Sequence, residues 1–98
     1  METLAEAIAR LEALGFRDSF EPADGGLRAL GAERVYAPEA LVVEEVVRFE
    51  GESDPSEEAI LFALRSSSGD VRGTFVAGYG VLSDPARAEI VRALAQRR

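Results

Sequence analysis

The chain has 98 residues, a net charge of −7 and a hydrophobic content of 47%, which suits one domain with a thin core and excludes a two-domain enzyme. It contains no Cys and no His, so thiol nucleophiles, imidazole bases, zinc sites and disulfides are excluded. All basic residues are Arg, which also excludes the lysine of a phosphate-binding loop, and we expect no cofactor.

The net negative charge also bears on partners and location. It opposes binding to nucleic acid and to anionic lipid surfaces. The first residues carry no basic segment followed by an apolar one, and no apolar run is long enough to span a membrane. We therefore expect a cytoplasmic protein with no nucleic-acid or membrane partner.

The first predicted element is a helix over residues 4–14. Thr3 and Glu6 form a capping box at its start. Leu4, Ile8 and Leu11 then repeat at helical spacing. Gly15 ends the helix, because glycine adopts the left-handed conformation that follows a helix end.

Five strands and two single helical turns are predicted next. Alternating or β-branched apolar residues indicate strands over residues 16–21, 27–30, 41–50, 59–66 and 71–79. Turn signals join the first pair at residues 24–26 and the last pair at residues 67–70. The prolines at positions 38 and 55 indicate the helical turns, over residues 38–40 and 54–57.

A second helix closes the chain. Asp84 is its predicted N-cap, and Pro85 occupies its first position. Ile90, Val91 and Leu94 form its apolar stripe. The order α-β-β-β-β-β-α with hairpin-length connections predicts a single α+β domain over residues 1–98, a two-layer sandwich with an antiparallel sheet of about five strands.

Acidic residues are concentrated between positions 44 and 58, where seven acids accompany one base, Arg48. Glu50, Glu52 and Asp54 offer carboxylates at alternate positions, as ligands of a divalent cation do. However, Pro55 stands where a calcium loop needs glycine for its sharp turn. A solvated, mutually repelling surface is the preferred interpretation, and a metal site is the alternative.

Leu41–Val47 is an apolar strand that contains the acidic pair Glu44 and Glu45. It resembles the phosphoribosylpyrophosphate-binding motif of phosphoribosyltransferases, in which two acids hold the ribose hydroxyls. Together with Arg48, these acids are candidate ligand-binding residues. The phosphate loop would begin at Arg48 and include Glu50, whose bulk and charge oppose a bound phosphate.

Most of the chain resembles a family of small bacterial proteins of about its own length. The resemblance rests on residues 46–55 and 60–64, above all on the sequence Arg-Phe-Glu-Gly at residues 48–51, and on short stretches at residues 15–20 and 78–81. Some members are automatically labelled phosphoribosylpyrophosphate synthetase, but this chain shows no counterpart of the ATP and ribose-phosphate sites that such an enzyme needs. The resemblance therefore implies the α+β fold and supplies no catalytic residue.

We expect a non-enzymatic domain that binds a partner or a small ligand as a homo-oligomer. The alternatives are an enzyme or binder of phosphorylated sugars and a divalent-cation-binding accessory protein. Residues 60–64 are apolar on both faces of their strand, and two short helices are thin cover for two such faces. Either the helices take opposite faces, or a second subunit covers one face. We favour the second alternative, a homodimer through a sheet face, which Leu61→Arg should split while the fold is retained.

Overall fold

The described part of the chain, residues 2–49, 58–78 and 84–96 of a computed structural model, forms a mixed six-stranded sheet and two α-helices. The elements in chain order are α1 (Leu4–Ala13), β1 (Asp18–Ala23), β2 (Gly26–Ala29), β3 (Arg34–Tyr36), β4 (Leu41–Phe49), β5 (Ala59–Ser66), β6 (Arg72–Gly78) and α2 (Pro85–Ala95). A 3-10 turn over Pro38–Ala40 leads into β4, as predicted. Neither helix is long and apolar enough to cross a membrane.

Both helices begin at their predicted caps. The Glu6 amide donates to the Thr3 hydroxyl at 3.1 Å, and the Thr3 amide donates to the Glu6 carboxylate at 2.8 Å. The Ala86 amide donates to the Asp84 carboxylate at 3.0 Å. Gly15 has a φ of 105°, the left-handed conformation expected where α1 ends.

The predicted hairpin between β5 and β6 is confirmed, and side chains stabilise its turn. The hydroxyls of Ser66 and Ser68 donate to the same Asp70 oxygen at 2.6 and 2.5 Å. Both hydrogen bonds lower the pKa of the Asp70 carboxyl, and the hydrogen bond from Ser66 has the largest effect. The Val71 amide donates to the Ser66 hydroxyl at 3.1 Å, so the turn residues are held together by their own side chains.

The sheet order is β3-β2-β1-β6-β5-β4. Neighbouring strands are antiparallel except β1 and β6, which are parallel and pair Asp18 with Gly73 and Ser19 with Thr74. The predicted α+β fold is confirmed, and the predicted antiparallel sheet of about five strands agrees with the structure except for a sixth strand and one parallel pair. Hairpin-length connections predict pairing only between strands that are adjacent in the chain, so they gave no sign of the parallel pair. Strand β3 was not predicted because it has three residues and no visible periodicity.

Element bounds differ most at β1. It begins at Asp18, two residues after the predicted start, because Phe16 lies in the turn after α1 and packs in the same core cluster as Leu11. Strand β2 covers Gly26–Ala29 instead of residues 27–30. The predicted helical turn at residues 54–57 lies outside the described residues.

The two helices pack on opposite faces of the sheet. On one face, α1 covers a cluster whose buried members are Ala7, Leu11, Phe16, Leu61 and Ala63. On the other face, α2 contributes to a larger cluster whose buried members are Phe20, Leu27, Ala29, Tyr36, Leu41, Val43, Phe62, Leu64, Phe75, Ala77, Val91 and Leu94. The layers are therefore helix, sheet, helix, and the two-layer arrangement is corrected.

A second subunit was predicted because both faces of β5 are apolar, but the two helices lie on opposite faces of the sheet. Leu61 is fully buried in the cluster under α1, and Phe62 is buried in the cluster that includes α2. Each apolar face of β5 is therefore covered within the chain. Leu61→Arg places a charge in this core, so it tests the fold rather than a dimer interface.

Candidate functional site

The acidic pair predicted from the sequence lies at a β-bulge. The pairing of β4 with β5 shifts between Val43 and Glu45, so Glu44 is the extra residue. The Glu44 carboxylate pairs with Arg65, and the Glu45 carboxylate accepts from Arg10 at 2.8 Å. Each acid therefore has an arginine partner from a neighbouring element, β5 or α1.

Arg10 joins α1 to the edge of the sheet. Its Nε donates to the Glu2 carboxylate at 2.8 Å, while its second amino group donates to Glu45. The hydrogen bonds to Glu2 and Glu45 raise the pKa of the Arg10 guanidinium, and the hydrogen bond from Arg10 lowers the pKa of Glu2. This network gives Glu45 a structural role.

Arg48 lies on the opposite side of the sheet from Glu45. In the β4–β5 register, Arg48 pairs with Ile60, which packs against the α2-side core, whereas Glu45 pairs with Ala63 in the cluster under α1. Successive side chains of a strand point to opposite faces, which separates the two groups. The structure therefore does not bring Glu44, Glu45 and Arg48 into one site.

The predicted cation ligands Glu50, Glu52 and Asp54 lie outside the described residues. Within the described ranges, no group of three or more Asp, Glu, His or Cys side chains is placed to hold a metal ion.

Arg48 instead borders an apolar groove between α2 and the pair β4–β5. The groove has a volume of about 390 Å³, and its lining residues are Val46, Arg48, Ile60, Phe62, Ala88, Val91, Arg92 and Ala95. This volume is within the range of small-molecule sites, which are mostly apolar with a few polar groups. We refer to it as the α2 groove.

Small residues on α2 account for the shape of the α2 groove. Ala88 and Ala95 are seven positions apart, so they lie on one stripe of the helix. Val91 and Leu94 are buried and anchor the helix to the core. The two alanines next to them do not fill the space above Val46 on β4, and a gap remains.

Two guanidinium groups are the charged groups of this lining. Arg48 and Arg92 are both exposed, and neither forms an ion pair with an acid among the described residues. Four other described arginines do form ion pairs with acids, which the excess of acidic over basic residues in the chain favours. The α2 groove thus combines an apolar wall with two guanidinium groups that no described acid neutralises.

The other two cavities differ in character. A cleft of about 580 Å³ lies between α2 and the β1–β2 turn, and its charged residues are Asp24, Asp84, Glu89 and Arg87. Arg87 is 3.8 Å from Asp84, so the excess charge of this cleft is negative. An open cavity of about 480 Å³ among loops at the start of β1 and β6 is lined by glycines and by charged residues of both signs, and its Asp18 accepts hydrogen bonds from backbone amides. Neither cavity has a wall of large apolar side chains.

Arg92 was not among the residues predicted from the sequence. The available signal was the pair of alanines on α2, Ala88 and Ala95, with Arg92 between them on the same side. The described lining residues are valine, isoleucine, phenylalanine, alanine and arginine, which offer hydrogen-bond donors and apolar contact but no nucleophile or general base. This set of groups can bind a ligand.

No protein-family model, curated protein or solved structure matches the chain.

Proposed function

We propose that the protein binds a small amphipathic organic anion in the α2 groove and does not transform it. The observation that carries this proposal is the pairing of an apolar wall with two guanidinium groups that form no ion pair with an acid among the described residues. The apolar part of the ligand packs on Val46, Ile60 and Ala88. Its anionic group, a carboxylate in the simplest case, accepts hydrogen bonds from Arg48 and Arg92.

The expected affinity is modest. Burial of each methylene contributes about 0.8 kcal/mol, whereas an ion pair at an exposed guanidinium contributes about 0.5–1 kcal/mol. At about 0.4 kcal/mol per non-hydrogen atom, decanoate would bind with about −5 kcal/mol, a Kd of about 0.2 mM. Most of the binding free energy therefore comes from the apolar wall, and the arginines select the sign of the charge.

Isothermal titration calorimetry with sodium decanoate tests the proposal, and decyltrimethylammonium is the matched ligand of opposite charge. We expect saturable binding of one decanoate and at least about tenfold weaker binding of the cation, which lacks the two ion pairs. Octanoate should bind about tenfold more weakly, because two fewer methylenes are buried. Equal binding of the anion and the cation would contradict the proposal.

Variants locate the site. Ala88→Leu fills the groove and should weaken decanoate binding at least tenfold. Arg48→Gln and Arg92→Gln should each weaken it about three- to fivefold. Arg17→Gln makes the same change of charge at an exposed position outside the groove and serves as the control. If Ala88→Leu binds as the wild type does, the ligand lies elsewhere.

A further inference from the structure

Helix α1 covers only half of its side of the sheet. The strand residues packed beneath it come from β4, β5 and β6, and include Val47, Leu61 and Val76. A helix is about 10 Å wide and strands are about 4.8 Å apart, so one helix covers two or three strands. Among the described residues, no helix therefore covers the same side of β1, β2 and β3.

Strand register arranges the side chains of this uncovered side in rows. Glu21 pairs with Arg28, and Arg28 pairs with Val35, so these three form one row across β1, β2 and β3. The Leu30 amide donates to the Ser19 carbonyl at 2.9 Å, which places these two residues in the next row. We refer to this surface as the open half-face.

The open half-face carries two of the three exposed large apolar side chains of the described residues. These are Leu30 and Val35, which are 42% and 43% exposed. Apolar side chains concentrated on one surface indicate a protein interface more strongly than scattered ones do.

We propose that the open half-face binds a second copy of this chain in a two-fold symmetric dimer. A two-fold interface joins the same surface on both subunits, so it requires a surface that complements itself. Glu21 and Arg28 are adjacent and opposite in charge. A two-fold axis between them sets Glu21 of each subunit against Arg28 of the other, with Leu30 and Val35 packed around these pairs.

Charge also favours a second copy as the occupant. The chain carries −7 overall, so two copies repel each other over most of their surfaces. In the open half-face one acid is balanced by one base, and the repulsion is locally removed. The surface is smaller than a standard interface of about 800 Å² per subunit. We therefore expect a weak dimer with a Kd of about 0.1–1 mM.

Sedimentation equilibrium of the full chain from 20 μM to 2 mM tests this dimer. Arg28→Glu and Glu21→Arg should each raise the dimer Kd at least tenfold, and the double variant should restore it to within about threefold. Arg87→Glu on α2 makes the same change of net charge as Arg28→Glu and should leave the Kd within about threefold of the wild-type value. Circular dichroism shows whether each variant keeps the fold.

Val35→Glu provides an independent test, because it leaves the charge pair unchanged. It should raise the dimer Kd at least tenfold. A wild-type chain that stays at 10.5 kDa up to 2 mM would overturn the proposal. So would a dimer that is unaffected by Val35→Glu and Arg28→Glu, since the interface would then lie on another surface.

Discussion

Gly73→Ala should disrupt the junction that joins the two halves of the sheet. The parallel pairing of β1 with β6 is two residues long, Asp18 with Gly73 and Ser19 with Thr74. A Cβ at position 73 would lie 2.3 Å from the Asp18 carbonyl oxygen, whereas carbon–oxygen contacts are ordinarily at least about 3.3 Å. The strands must therefore separate by about 1 Å.

This displacement sets the expected magnitude. Lengthening a hydrogen bond from about 2.9 Å to about 3.9 Å breaks it, and each lost hydrogen bond costs about 1 kcal/mol. Overpacking adds about 1–3 kcal/mol. We therefore expect Gly73→Ala to lower the free energy of unfolding by about 2–4 kcal/mol and the Tm by about 10–20 °C.

Urea unfolding followed by circular dichroism measures this loss, with Gly78→Ala as the matched control. Gly78 lies on the same strand, but a Cβ there would have no atom within 4 Å. Gly78→Ala should leave the free energy of unfolding unchanged or raise it by about 0.5 kcal/mol, because alanine restricts the unfolded chain. Equal stability of the two variants would refute the close approach of β1 and β6.

Three further predictions concern buried and turn residues. Tyr36→Phe should raise the free energy of unfolding by up to about 1 kcal/mol in the same assay, because the buried Tyr36 hydroxyl has no hydrogen-bond partner in the described part of the chain. Leu61→Arg should abolish cooperative thermal unfolding, since it buries an unpaired charge at a cost of more than about 4 kcal/mol. Leu14→Arg is the control, because Leu14 is exposed and this variant should still unfold cooperatively. The pKa of the Asp70 carboxyl is lowered in the folded state, so its stabilising effect is complete above about pH 4 and is lost as the pH falls through that lowered value. The Tm values of the wild type and of Asp70→Asn should therefore converge in acid. A constant difference between the two Tm values down to pH 2 would contradict this.

Local signals in the sequence were sufficient for the helices and for the β5–β6 hairpin. Thr3 and Asp84 satisfy free amides at helix starts, and this depends only on residues within one turn. The hairpin likewise depends on residues 66–71. Such features are readable because the interacting groups are close together in the chain.

Features that depend on distant residues could not be read in this way. The parallel pair joins Asp18 to Gly73, and neither strand carries a mark of its partner. Apolar residues on both faces of β5 showed that both faces are covered, but not whether a helix or a subunit covers them. The α2 groove was missed because it depends on how Ala88 and Ala95 of α2 pack over β4.

The β-bulge at Glu44 has a consequence for aggregation. Leu41–Phe49 is a nine-residue, valine-rich strand at the end of the sheet formed by the described residues, and a flat strand of this kind can template amyloid-like growth. The extra residue bends the strand and breaks the regular spacing that an incoming strand would need to match. It also places Glu44 and Glu45 side by side, so a stacked copy would bring like charges together. We therefore expect the bulge and the acidic pair to oppose edge-to-edge stacking of this strand.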